Sequence, residues 1–272
     1  MANDDGADAH GLSVLTAAAA ALGPPLVLAN DIGWTAAGTS LRFPGGDARR
    51  IIRDGDRWTF ADTPPALLAA AACSGALGPA PDAALVGVNH GPNVGGMAAH
   101  SGTVGAALTA AAHGLPAVAV SSDDVHATHG AEDGPPHHGL AAALAVRLVS
   151  LVERLRRREG EGIALNVNVP NLPAEQVAGI RIAVPARALP AARLDAHGAV
   201  RPGIDIDEPP DPGSDIALLR DGFATVTVVC GALPERGLRD GVAAIERDLL
   251  GGGGRAGAAA VARAHNHSTR IG

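Results

Sequence analysis

The chain has 272 residues, 47% of them hydrophobic, and a formal net charge of -7. That is enough apolar material for one large α/β domain, and the acidic balance excludes a surface built to coat a nucleic-acid polymer. All 21 basic residues are arginine, so Schiff-base chemistry, pyridoxal phosphate attachment and a P-loop GK[ST] are excluded with the missing lysine. Aromatic residues make up only 2%, which leaves Ala, Val, Leu and Ile to build the core. Two cysteines, Cys73 and Cys230, are too few for a disulfide scaffold or a four-thiolate zinc site. Asp4, Asp5 and Asp8 stand where a signal peptide would carry basic residues. An uninterrupted apolar span of about 20 residues is missing. A cytoplasmic protein with no membrane partner is expected.

In chain order, residues 11–22 are Ala- and Leu-rich and predict a helix, stopped by Gly23-Pro24-Pro25. Residues 26–29 predict a short buried strand, 30–40 a Gly/Thr loop, and 41–60 a pair of strands around Asp54-Gly55-Asp56. Thr63 is a candidate N-cap for a helix over 66–75. A second buried strand over 83–88 ends on Asn89, and a Gly-rich loop leads to Ser101, which opens a helix to about His113. Residues 117–120 predict a third strand, 121–138 a polar loop, 140–158 a long helix and 163–169 a fourth strand. Short apolar strands alternating with helices imply a doubly wound, mostly parallel sheet.

After residue 175 the texture becomes β-rich. Strands are expected at 180–184 and 223–229, with a Pro-rich acidic connection from Pro202 to Pro212. This predicts a core over about 1–175, a β-rich appendage over about 176–250 that projects from the sheet, and a disordered tail over 251–272.

In such a sheet, ligands bind beyond the carboxyl ends of the strands. Asn3-Asp4-Asp5-Gly6, the 30–40 loop and Asn89-His90-Gly91 all fall there. Asp4 and Asp5 are costly to hold side by side without a cation, and oxygen ligands suit Mg²⁺ or Mn²⁺. The same pair also suits the first turn of a helix, where the dipole favours acid. Ser101-Gly102-Thr103 opens a helix whose free N–H groups and two hydroxyls could bind an anion; an ordinary Ser N-cap is the plainer reading. His126, His129, His137 and His138 lack the spacing of a zinc motif and read as solvated loop residues. The arginine-rich stretch 154–158 reads as a solvated helix face.

The order of motifs is specific. NDDG (3–6), Gly38-Thr39-Ser40-Leu41, Thr63-Pro64, GVNHGPNVG (87–95), HSGTVGAA (100–107), GLPAVAVS (114–121) and NVNVPN (166–171) together resemble the SurE family of survival-protein nucleotidases. Gly213-Ser214-Asp215 and Asp221-Gly222-Phe223 extend the resemblance to about residue 229. It implies a Rossmann-like core and a divalent-metal phosphomonoesterase acting on nucleoside 5′- or 3′-monophosphates, with one Mg²⁺ or Mn²⁺ ion. Carried over, the metal ligands are Asp4, Asp5, Thr35 and Asn89, with Asp4, Asp5 and Asn89 also catalytic. The phosphate cradle falls on Gly38, Ser40, Ser101, Gly102 and Thr103. Asp4 or Asp5 would orient the attacking water. A homodimer or homotetramer built through the late β region is also implied. A non-catalytic nucleotide- or metal-binding relative, and a phosphatase for another small phosphoester, share these motifs.

Three departures from the family stand out. Only Met1-Ala2 precede NDDG where a full strand is usual, which leads to the expectation of a start assigned too late. The loop after the second strand reads Asn30-Asp31-Ile32-Gly33-Trp34 and lacks the usual basic residue. Gly96, Met97 and His100 replace acids and a tyrosine before the SGTV motif, and His100 is a candidate proton donor.

Overall fold

The computed structural model describes residues 1–41, 51–55, 57–124, 136–159 and 162–231. The core is an α/β sandwich, and its five-stranded sheet has the order β4(Ala84–His90), β5(Ala117–Asp123), β6(Ile163–Pro170), β10(Phe223–Cys230), β7(Gly179–Ile182). β4, β5 and β6 run parallel, β10 is antiparallel to β6, and β7 is parallel to β10. β5 and β6 are buried along their whole length, which is why they read as continuous apolar runs. A second sheet has the order β1(Val27–Asn30), β3(Arg57–Phe60), β2(Ile51–Asp54).

Met1 and Ala2 join the two sheets. The N–H of Leu28 donates to the Met1 carbonyl, while Ala2 donates to Leu85 and accepts from Gly87. Two residues thus hold the central position where a full strand was expected. The Met1 ammonium donates to the Leu26 carbonyl, and burial pushes its pKa down to about 6. Beside it lies an apolar groove of about 380 Å³ lined by Leu22, Leu26, Ala72, Cys73 and Leu85 among others.

Helices cover both faces. α1(His10–Ala19) and α4(His138–Glu159) form one layer, in which Leu15, Leu144, Leu148 and Val152 pack on Val118, Val120, Leu165 and Val167. α2(Pro65–Cys73) and α3(Gly102–Ala112) form the other, largely through alanines. Alanine lets the α2, α3 and sheet backbones approach closely, as a core almost without aromatics requires. Leu148 is fully buried. Leu148→Ala is expected to cost about 2–5 kcal/mol in urea denaturation, because it leaves a cavity among the close-packed Leu and Val side chains of this layer.

The β-rich region after residue 175 is present and divided. β7 and β10 extend the main sheet, with α5(Asp215–Arg220) packed on β10. β8(Ala188–Leu194) and β9(Val200–Ile206) form a separate antiparallel ribbon. β9 runs through the first part of the stretch expected as a Pro-rich connection. Thr63 is not the N-cap of α2: Pro64 is, and the Thr63 hydroxyl donates to the Ala61 carbonyl. The tail over 251–272 lies outside the described residues.

Candidate functional site

The strand ends that the sequence marks for chemistry meet at one edge of the sheet. Asp4 leaves the Met1–Ala2 segment 6% exposed, and its Oδ1 accepts a 2.5 Å hydrogen bond from the Thr103 hydroxyl. Its carbonyl accepts the N–H of Trp34 at 2.8 Å, which brings the 30–40 loop and Thr35 beside it. Asp5 is exposed, and its Oδ2 accepts the N–H of His90, the residue after Asn89, at 3.0 Å. Asn89 is 9% exposed; its Nδ2 donates to the Gly91 carbonyl, which turns Oδ1, the acceptor a cation needs, to the other side.

Charge is costly here. Burial pushes the Asp4 carboxyl up to about 6, and the neighbouring Asp5 adds to that, while the Thr103 hydroxyl opposes it. Asp5 presents an exposed surface, but the protein packed around its carboxyl desolvates it enough to raise it, against the His90 N–H and imidazole. Two carboxylates that resist ionisation side by side are what a bound cation would relieve.

The start of α3 abuts the acids. Ser101 is its N-cap, with Oγ accepting from the Val104 N–H at 3.1 Å. Gly102 and Thr103 occupy the first turn, where backbone N–H groups have no intrahelical acceptor. A Cβ on Gly102 would stand 2.9 Å from Asp4 Oδ2, and one on Gly105 would stand 2.0 Å from the Gly38 carbonyl. Glycine at both positions is therefore what lets the acids and the 38–40 loop close on the helix end. Gly38 donates to the His100 carbonyl at 2.9 Å, and Ser40 closes a turn on Ala37. Thr35 and the His100 side chain are exposed. Ser101→Ala should remove about 1 kcal/mol of stability through the lost cap, measured by thermal unfolding.

These contacts join Asp4 to Gly102 and Thr103, and Asp5 to His90, the residue after Asn89, with Gly38 and Ser101 around the helix end. Thr35 adjoins them through Trp34, and Ser40 lies two residues beyond Gly38. The Thr103 hydroxyl is spent on Asp4, and the Ser101 hydroxyl on the helix cap.

Two further groups escaped sequence reasoning. Asp124 Oδ2 lies 2.7 Å from His138 Nε2 and 3.0 Å from His90 Nδ1, and His138 Nδ1 lies 3.1 Å from His10 Nδ1. His138 is 4% exposed, which corrects its reading as a solvated loop residue. His126 and His129 lie outside the described residues. Desolvation raises the Asp124 carboxyl, but the His138 and His90 interactions outweigh it and hold the group below its ordinary range. The signal was available: β5 continues to Asp123, so Asp124 also stands at a strand's carboxyl end. The second group is Asn166 and Asn168, alternate residues of β6 facing the same loop. Both donate to the Asn93 carbonyl, at 2.7 and 3.1 Å, and Asn168 Oδ1 accepts the Asn93 N–H.

Oxygen donors dominate at Asp4 and Asp5. Among the described residues, no group of three or more His, Cys, Asp or Glu is placed to hold a metal ion by itself, so a cation at the two acids would also need amide or hydroxyl oxygens.

Comparison with known proteins places the chain by sequence and by fold. The chain matches the family model described as survival protein SurE over residues 1–190. It is 31% identical to the 5′/3′-nucleotidase SurE of Serratia proteamaculans over 236 residues, 84% of this chain and 87% of the relative. It is 33% identical to the 5′-nucleotidase SurE of Chloroflexus aggregans over 238 residues, 84% of this chain and 91% of the relative. The crystal structure of the SurE protein from Aquifex aeolicus superposes with a TM-score of 0.68 at 28% identity, covering 90% of this chain and 98% of that one.

Proposed function

Because the chain belongs to the SurE family, we propose that it is a divalent-metal-dependent phosphomonoesterase that hydrolyses nucleoside 5′- or 3′-monophosphates to nucleoside and phosphate. The observation that carries the reading is the contact between a buried, reluctantly ionised Asp4 and the first turn of α3. A cation site and an anion site thus share one wall.

Asp4, Asp5, Asn89 and Thr35 are the residues that would hold the cation, and their oxygen donors fit Mg²⁺ or Mn²⁺. When bound, that ion would supply Lewis-acid neutralisation of the phosphoryl group. The Thr103 hydroxyl and the His90 N–H fix the two carboxylates, one each. The free N–H groups at the start of α3 donate to equatorial phosphoryl oxygens, with Gly38 and Ser40 closing the cradle. Asp4 or Asp5 orients the attacking water. The new phosphorus–oxygen bond forms to water as the bond to the ribose oxygen breaks, so this class of residue positions rather than reacts.

Phosphate release from AMP or GMP with added Mn²⁺ or Mg²⁺ tests the reading. Turnover is expected for the native chain and not for the Asp4→Ala/Asp5→Ala double variant; equal rates in both would sink it. A substrate panel separates nucleotides from other small phosphoesters. The exposed Thr35 and the basic-poor 30–34 loop favour one second reading, a nucleotide- or metal-binding relative without turnover. Calorimetric binding of AMP with no phosphate release would support it.

The β8–β9 ribbon exposes Leu189, Leu194, Val200 and Ile204. Such an apolar ribbon suits assembly into a homodimer or homotetramer. Light scattering behind size exclusion should give a multiple of 27.0 kDa, and Leu194→Asp with Val200→Asp should shift it toward the monomer. No described helix is long and apolar enough to cross a membrane. A cytoplasmic location, with no nucleic-acid polymer as partner, completes the reading.

A further inference from the structure

The segment from Asn89 to Ser101 carries residues from both halves of the site, and it is fixed at two points. The first is Asn93, held by Asn166, Asn168 and Ser121. The second is Gly95, whose N–H donates to Asp215 Oδ2 at 2.7 Å. Asp215 is 1% exposed, and its other oxygen accepts the N–H of Ala186 at 2.8 Å and of Ile216 at 2.9 Å. Its own N–H donates to the Val184 carbonyl at 2.9 Å. One buried carboxylate therefore ties the Gly95–His100 turn to the base of the β8–β9 ribbon and to the start of α5.

The fit at this point leaves no slack. A Cβ on Gly95 would lie 2.6 Å from the Ala186 carbonyl, and one on Gly96 would lie 2.6 Å from the Ala188 carbonyl. Val94, Met97 and Ile206 close over Ala186, Ala188 and Ile216. Burying a carboxylate is expensive, and among the described residues its hydrogen-bond partners are backbone N–H groups, with no side-chain cation. Three N–H bonds from separate backbone segments onto one carboxylate make the tie stiff, and the stiffened turn ends at Ser101, the cap of α3.

We infer that Asp215 is a positioning residue for the phosphate cradle, holding the Gly95–Ser101 segment against the ribbon so that the start of α3 meets substrate in register. This rests on the proposed phosphatase reading and extends it to a residue that touches neither phosphate nor metal. It also makes the ribbon base and the cradle one mechanical unit.

Asp215→Asn keeps the shape but sets an NH₂ group against one of the backbone donors. In the full-length protein, the variant is expected to retain the native circular dichroism spectrum and to bind Mn²⁺ within about twofold of wild type. Its kcat/KM for AMP should fall about 100-fold, the loss that a misplacement near 1 Å produces. Inhibition by inorganic phosphate should weaken about tenfold, and amide exchange over 94–101 should quicken. A stable variant with unchanged kcat/KM and unchanged phosphate inhibition would overturn the inference, as would losses matched to its unfolded fraction alone. Should Asp215→Asn not fold, Gly95→Ala breaks the same tie from the opposite side and is read in the same way. If wild type turns over no phosphoester, the phosphatase reading fails by itself. Phosphate binding and exchange over 94–101 then decide the positioning role separately.

Discussion

Asp4→Asn is expected to abolish most phosphate release while making the metal-free protein more stable at pH 7. The two effects have one cause. The carboxylate is buried beside Asp5, and its folded-state pKa is about 6 against an ordinary 3.8. Between those values the native state keeps a proton that the unfolded chain has released. The stability associated with this group is whole below pH 3.8 and is lost as pH rises through 6. A shift of this size corresponds to about 3 kcal/mol at neutral pH in the absence of metal. Asparagine keeps an oxygen for the Thr103 hydroxyl and removes the charge, so the variant should regain much of that energy and lose the slope between pH 4 and 6. Turnover should drop by about 100- to 1,000-fold, since one carboxylate that would hold the charge-neutralising cation is removed. Added Mn²⁺ should raise the melting temperature of wild type and not of the variant. Urea titrations across pH with and without metal, alongside AMP assays, check all three. An active variant, or a wild-type stability that rises from pH 4 to 6 in metal-free buffer, would contradict the account.

Much of this arrangement is legible in the chain, and the exceptions have physical reasons. β6 declares itself because both faces are covered, so its apolar run has no polar alternation to confuse. Ser101 declares itself because a capping hydroxyl directly precedes the helical run of α3. The Asp4–Thr103 contact spans 99 residues and depends on two glycines, Gly102 and Gly105, whose missing side chains matter only once the loops are packed. β8 and β9 were hidden by their prolines, one in each strand. Pro190 and Pro202 are tolerated because a two-stranded ribbon leaves the outward side of each strand without ladder partners. α5 has six residues, too few to show a period. Asp215 stands in the sequence only as part of a motif that extends the resemblance, and its role emerges only when three distant backbone segments converge on it.

His138→Ala is the second large effect, expected to cost about 3–5 kcal/mol because it strands the charge of Asp124 in a poorly hydrated position. The Asp124 side chain is 3% exposed, and His138, itself 4% exposed, is its buried partner; His90 reaches it from the surface at 60% exposure. Removing His90 should therefore cost far less, since solvent already screens that pair. The sign with pH follows from Asp124, whose carboxyl sits below its ordinary value of 3.8 in the folded protein. Its contribution is present above 3.8 and is lost as acidification passes below that value through the folded-state pKa. His138→Ala should flatten this acid limb as well as lower the plateau, whereas a cavity-only loss would lower the plateau and leave the limb intact. His138→Gln separates the two further: it keeps a hydrogen-bond donor for Asp124 and fills part of the space, so it should recover part of the plateau. The coupling reaches the site as well. His90 gives its imidazole to Asp124 and its backbone N–H to Asp5, so loosening Asp124 should loosen the carboxylate on the opposite side of the same residue. Weaker Mn²⁺ binding in His138→Ala, measured at a temperature where the variant is fully folded, is the expected result. Unchanged metal affinity would confine the cluster to stability alone.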